Sequence, residues 1–272
     1  MRLVNGKVSY SDARTQKRYA ADAINMRVSL PSLAEPLDAD GSLVWNGEKV
    51  ALKLTMKNPQ AFLDGKTTEL SSSISSSLVK LDFKGNTSKE KQLRASGSLT
   101  LDVPSVRKLA AWAGQPMTAP GNGFGPLKII GQVSVDGQKY QFTSAKLALD
   151  KINATGDFRY DGSGKRPYVN ARLDTGPLDI NPYLPPEEDA KGKTKKPSPA
   201  GAGSAAQQGW SDAPIDLSGL RQADADAVLK VAGLQVRKIK IGELQVKLTL
   251  KNGRLVTELT KMALYTYFSA DR

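Results

Sequence analysis

The 272-residue chain has no cysteine and no histidine. Without cysteine there is no disulfide, no thiolate nucleophile and no Cys-based zinc site, and periplasm and cytosol suit the chain equally well. Without histidine it lacks the commonest general base, the commonest transition-metal ligand and every Ser-His or Cys-His pairing. Aromatic residues make up 6% and hydrophobic residues 39%, a thin supply for one compact globule but enough for extended sheet. No run of about 18 apolar residues exists, so no segment reads as a membrane-spanning helix. The opening MRLVNGKVSY lacks the apolar core, roughly 7–15 residues long, of a signal peptide.

Positive charge is plentiful. Lys and Arg number 39 against 27 Asp and Glu, a net charge of +12. Such a balance points to anionic partners, either nucleic acid or phospholipid head groups. Nucleic-acid recognition places stacking aromatics among the basic residues. Here Tyr140, Phe142 and Phe158 alternate with polar residues instead, so no nucleic-acid partner is expected.

Period-two alternation dominates the chain. Val50, Leu52, Leu54 and Met56 alternate with Ala51, Lys53, Thr55 and Lys57. The same pattern runs through Val79, Leu81 and Phe83, through Leu99, Leu101 and Val103, and through Ile129, Gly131, Val133 and Val135. The longest run is Leu244, Val246, Leu248 and Leu250. Each strand would carry one apolar and one charged face. Asn5-Gly6, Asn46-Gly47, Asp136-Gly137 and Asn252-Gly253 each read as a hairpin turn, which predicts an antiparallel meander. In 139–149 the apolar positions switch from even (Tyr140, Phe142) to odd (Ala145, Leu147, Leu149); in 254–264 they switch from odd (Leu255, Leu259) to even (Met262, Leu264). Such a change of phase predicts a bulge that keeps the apolar face on one side.

One short helix is predicted over 104–113, with Pro104 at its first position and Gly114 behind it. Val106, Leu109 and Trp112 recur at helical spacing and would cap one end of the sheet. Residues 185–213 are rich in proline, glycine and charge and read as a linker. The chain thus divides into β-rich segments at 1–184 and 214–272 with a linker at 185–213.

Candidates for chemistry are few. Asp38 with Asp40, and Asp224 with Asp226, could share a strand face as an acid–base or cation-binding pair, but read more simply as solvent-facing carboxylates. The glycines of 121–125 lack the strand–loop–helix setting and the Lys-Ser/Thr of a phosphate loop, and read as a turn. Ser88-Lys89 and the Ser144/Lys146 pair are ordinary for this composition. Lys191, Lys193, Lys195 and Lys196 could meet an anionic membrane, yet Glu187, Glu188 and Asp189 lie beside them. Trp45 and Trp112 read as packing residues; Trp210, inside the linker, could dock on the sheet or a bilayer interface. No catalytic residue, metal ligand or cofactor is expected.

One short helix cannot cover the apolar faces of so many strands. A second sheet, closure into a barrel, or a ligand that is not protein must cover them. Extracting a lipid tail of ~15 carbons into water costs roughly 12 kcal/mol, at about 0.8 kcal/mol per CH₂. A trough of apolar strand residues would offset most of that with no catalytic group.

A series of motifs resembles the AsmA family of bacterial envelope proteins. It comprises LVNGKVSY at 3–10, DAIN at 22–25, LDADGSLVWNG at 37–47, LDVPSVRKLAAW at 101–112, GFGPL at 123–127, LDINPYL at 178–184, DLSGL at 216–220 and NGRL at 252–255 leading to Ala263-Leu-Tyr265. Each is degenerate alone, but the series spans nearly the whole chain in the family's order. The resemblance implies a mainly β fold, a long curved antiparallel sheet forming an open groove. It also implies a periplasmic, inner-membrane-associated protein tied to phospholipid transport, outer-membrane integrity and outer-membrane protein assembly. The family's N-terminal anchor and the glycines after Leu-Tyr have no counterpart here, so a partial chain is expected. The groove candidates are Leu52, Leu54, Leu81, Leu99, Leu101, Val133, Val135, Leu244, Val246, Leu248 and Leu250, in nonspecific contact with acyl tails. The rival expectation is a scaffold contacting outer-membrane assembly proteins through strand edges.

Overall fold

Alternation becomes strand along most of the described residues. The computed structural model describes residues 1–12, 17–185 and 223–264. The first group of strands is β1 (Arg2–Asp12), β2 (Lys17–Ser29), β3 (Leu37–Trp45), β4 (Glu48–Met56), β5 (Thr68–Ser75), β6 (Lys80–Lys89) and β7 (Leu93–Val103). There follow β8 (Leu127–Asp136), β9 (Lys139–Leu149), β10 (Ile152–Asp161), β11 (Tyr168–Asp179), β12 (Asp224–Val236), β13 (Ile239–Lys251) and β14 (Arg254–Leu264). All fourteen form one sheet in sequence order. β1 and β14 do not pair with each other, so the curved sheet stays open and does not close into a barrel.

Three of the four expected turns are hairpins. At Asn46-Gly47 both residues take positive φ, 46° and 79°, as a turn matching the right-handed twist of its strands requires. Asp136-Gly137 and Asn252-Gly253 likewise join β8 to β9 and β13 to β14. Asn5-Gly6 is not a turn. It lies inside β1, where the ladder to β2 shifts on both sides of Gly6. Asn5 takes φ 51° and its N–H donates to Asn25 Oδ1 at 3.0 Å. Asparagine tolerates the left-handed region in a bulge as readily as in a turn, so the dipeptide alone does not separate the two.

Both predicted changes of phase are bulges. β9 slips against β8 between Ile130 and Gln132 and against β10 between Gly156 and Phe158. Ser144 takes φ 52° there, and its N–H donates to Asp157 Oδ1 at 3.0 Å. β14 slips against β13 between Gln245 and Val246.

The predicted helix is α2 (Val106–Trp112). It begins two residues after Pro104, because Ser105 serves as the N-cap, its hydroxyl accepting from the Lys108 N–H. A second short helix, α1 (Pro59–Leu63), joins β4 to β5; Asn58 caps it by accepting from Ala61 N–H at 2.9 Å, and Pro59 opens it. Five residues are too few to show a helical period, so only the cap and the proline signal it.

One pairing departs from the meander. β11 and β12 run parallel, in register from Tyr168↔Asp224 to Asp179↔Gln235. A hairpin cannot make a parallel pair; the long connection between them can. At one end of this seam Asp224 N–H donates to Pro167 O at 2.9 Å and Arg166 pairs with Asp224 at 3.2 Å. At the other, Ile180 N–H donates to Gln235 O at 3.1 Å and Asn181 Nδ2 donates to Arg237 O at 3.2 Å. The two β-rich segments are therefore joined in one sheet.

Candidate functional site

Residues opposite each other across a ladder share a face of the sheet. Leu52 faces Ile74, and Leu54 faces Ser72. Ile74 faces Leu81 and Ser72 faces Phe83, which in turn face Leu101 and Leu99. Leu101 faces Ile129, while Val133 and Val135 face Gly97 and Ala95 on the same side of β7. The apolar row passes through the β9 bulge to Ala154 and Thr175, then to Val231 and Leu244. Val246, Leu248 and Leu250 lie along β13 on that face, opposite Leu229, Ala227 and Ala225. All eleven candidate groove residues therefore share one face. Sequence reasoning left Leu70, Phe83, Ile129, Leu147, Leu149 and Leu229 out of the set, although they stand on the same face; their own alternation was the available signal.

This face has no second protein layer over it among the described residues. Among the described residues the hydrophobic ones that are fully buried are Val50, Val103, Ala154, Val231 and Leu244. In a two-sheet sandwich most of the inward residues would be. Here Leu52, Leu81, Leu99, Leu101 and Leu248 are half-buried by their neighbours alone. Ile74, Tyr140, Phe158 and Leu259 are 37%, 46%, 41% and 55% exposed. The result is an apolar face running across the sheet, about 60 Å long at ~4.8 Å per strand.

Small residues mark the middle of its floor. Gly85 faces Gly97, Gly131 lies on the same face opposite Leu99, and Ala145 faces Gly156. A Cβ on Gly97 would sit 2.3 Å from the Lys84 carbonyl oxygen, so the strands approach too closely there for a side chain.

The opposite face is polar. It carries Asp38, Asp40, Lys53, Asp82, Lys84, Ser96, Ser98, Gln132 and Ser134, and a depression of ≈ 840 Å³ on it is lined by Glu69, Ser71, Asn86 and Gln141 among others. A twisted sheet is saddle-shaped, so both faces have some concavity.

The two helices stand at opposite ends of the strands. At one end α1 tucks beside β5 and β6, with Pro59 buried and Gln60 N–H donating to Leu33 O at 2.7 Å. At the other end α2 reaches from β7 back to the β3–β4 turn. Trp112 Nε1 donates to Trp45 O at 3.0 Å, Asn46 Nδ2 donates to Trp112 O at 3.2 Å, and the two indoles meet edge to face, 4.7 Å between centroids. β3 and β7 are four strands apart, about 19 Å, so α2 lies across the ends of the strands between them. No residue of α2 is fully buried.

The base of α2 is tied down by the glycine-rich stretch 121–125, which is a turn. The Arg107 guanidinium donates to the carbonyls of Gly123 (2.6 Å), Ala119 (3.0 Å) and Gly121 (3.0 Å). The N–H groups of Phe124 and Gly125 donate to the Asp150 carboxylate at 3.0 and 2.9 Å, as does the Tyr183 hydroxyl at 2.7 Å. Burial, reinforced by that bond to Asp150, pushes the Tyr183 hydroxyl well above its ordinary pKa. These contacts bind the starts of β8 and β10 to the end of β11.

The aspartate pairs have structural partners. Asp38 accepts from Thr55 Oγ1 at 2.7 Å. Asp226 accepts from the Tyr168 hydroxyl at 2.7 Å and from Thr249 Oγ1 at 3.0 Å, and the Asn252 N–H donates to Asp224 at 2.8 Å. Among the described residues no three His, Cys, Asp or Glu side chains are grouped to hold a metal ion. Lys191, Lys193, Lys195, Lys196 and Trp210 lie outside the described residues. No helix among them is long and apolar enough to cross a membrane.

Compared with protein-family models, curated proteins and solved structures, the chain matches none.

Proposed function

We propose that this chain is a non-enzymatic cell-envelope protein of AsmA type that holds lipid acyl chains in its apolar trough. It would support phospholipid transport and outer-membrane biogenesis from a periplasmic, inner-membrane-associated position. One observation carries the reading: a continuous apolar face, fourteen strands long, with no protein layer over it among the described residues. Exposed apolar surface beyond a few hundred Å² marks an interaction site. An acyl chain suits this one because the contacts are distributed, directionless and without convergent polar groups. Each CH₂ moved from water onto the face contributes about 0.8 kcal/mol. Head groups would stay at the trough's margins, near Lys and Arg.

The test is to purify the chain from bacterial cells and count phospholipids per folded protein by native mass spectrometry. A Val246→Asp/Leu248→Asp variant with an unchanged circular dichroism spectrum serves as control. Bound lipid at a fixed ratio, lost in the control, is the expected result. A folded protein free of lipid would overturn it. That outcome would favour an envelope scaffold that assists outer-membrane protein assembly through strand edges, a reading supported by the outer edges of β1 and β14, against which no other described strand lies.

A further inference from the structure

We propose that α2 is a lid across one end of the β3–β7 section of the apolar face, latched by the contact between Trp112 and Trp45. The inference rests on the trough holding acyl chains and adds how they reach this section. The two ends of the helix are held very differently. At its base, Arg107 donates from its guanidinium to Ala119, Gly121 and Gly123, and the Val106 and Arg107 N–H groups donate to Gly125 O and Phe124 O at 2.8 and 3.1 Å. Its tip is held across four strands by one indole pair and two hydrogen bonds, at 3.0 and 3.2 Å. Between base and tip no residue of the helix is fully buried, so the helix itself is not anchored in a packed core. Gly114 follows the tip with φ 78° and ends the helix, its N–H donating to Ala111 O at 3.0 Å. A fixed base, a lightly held tip and an unburied span together make a lid rather than a brace.

With the latch closed, the lid lies over one end of the apolar face where Val103 is buried. With it open, a tail can slide onto Leu81, Leu99 and Leu101 from that end.

The chain has no cysteine, so engineered thiols are unique. Asn46→Cys with Ala113→Cys, bridged by a short bis-maleimide, locks the tip; Trp45→Ala releases it; Trp112→Phe keeps the aromatic contact and loses one hydrogen bond. Two readouts are taken on the full chain. The first is amide hydrogen exchange across 108–113, which involves no lipid. The second is the rate at which NBD-labelled phosphatidylethanolamine is taken up from phosphatidylcholine–phosphatidylglycerol vesicles. Trp45→Ala should speed both exchange and uptake by about tenfold, Trp112→Phe by two- to threefold, and the cross-link should slow both by tenfold or more. The lipid bound at long times should be the same in all forms. Equal exchange in the locked and released forms overturns the lid. So does equal uptake in forms that bind lipid, and the trough then stands without it. If exchange responds as expected but no form binds lipid, the trough reading fails and the lid's role in uptake fails with it.

Discussion

The strands β3–β8 and β9–β14 share one sheet and one apolar face, yet they are finished differently. The first section has a helix at each end of its strands. Its apolar side chains are mostly half-buried, with Ile74 and Leu93 reaching 37% and 47% exposure on the apolar face. The second section has no α-helix among the described residues, only a 3-10 turn at Asn181–Tyr183, and Tyr140, Phe158, Leu259 and Met262 are between 41% and 55% exposed. It does contain a narrow buried row, Ala154, Thr175, Val231 and Leu244, where small residues sink between larger neighbours. Bulges and a parallel seam shape this section, where caps and helices shape the first. The difference teaches that alternation sets which residues share a face, whereas the connections decide how much of that face is sheltered.

The comparison can be broken most severely at the glycine floor of the first section. Gly97→Val would drive a side chain into the Lys84 carbonyl and the Gly85 Cα, and should cost about 3 kcal/mol or more in a urea melt. A loss under 1 kcal/mol would mean that the strands have room to part. Next comes a matched pair of charges. Leu99→Asp, in the sheltered section, should destabilise by about 3 kcal/mol, while Leu259→Asp, at 55% exposure, should cost under about 1 kcal/mol. Equal losses would erase the distinction between the two sections. Arg107→Ala removes the ties at the base of α2 and should cost about 2 kcal/mol. Hydrogen exchange should rise in 105–126 and stay unchanged in β12–β14.

The smallest effect is on acid stability, where the two sections meet. Hydrogen bonds from Arg94 and then Gln92 hold the Asp136 carboxyl below its ordinary 3.8, and bonds from Ser163 do the same for Asp161. Groups with lowered folded-state pKa values contribute stability that is present above their unfolded pKa and is lost as pH falls through the folded value. Both contributions should be in place at neutral pH and disappear below about pH 4. Asp136→Asn should make the acid limb of the melting-temperature profile shallower. Both groups are at the surface, so the change should be slight.

Much of this could be read from the chain. The alternation of Leu52 with Lys53, or of Val246 with Lys247, assigns faces because the side-chain period of a strand is two wherever the strand goes. The changes of phase in β9 and β14 foretold bulges for the same reason. Pro104 with Gly114 bracketed α2, although Ser105 turned out to be its cap. Other features had weaker local signals. Asn5-Gly6 is chemically a turn and structurally a bulge. The turns at Asp150 and Arg237 take positive φ, 53° and 57°, with no glycine to announce them. The Gly85–Gly97 contact joins residues that no local rule pairs, and the Arg107 bonds reach carbonyls more than ten residues away.

By itself, then, the sequence determined the strands, their apolar side and the absence of cysteine and histidine chemistry, because these are properties of composition and of near neighbours. Only the tertiary structure decided that the apolar side of the described residues is a single layer rather than half of a sandwich, that β12 joins β11 in parallel, and that α2 crosses to Trp45. Alternation is satisfied equally by protein or by ligand on the apolar face. What covers it depends on where distant segments lie in space, and no local pattern carries that information.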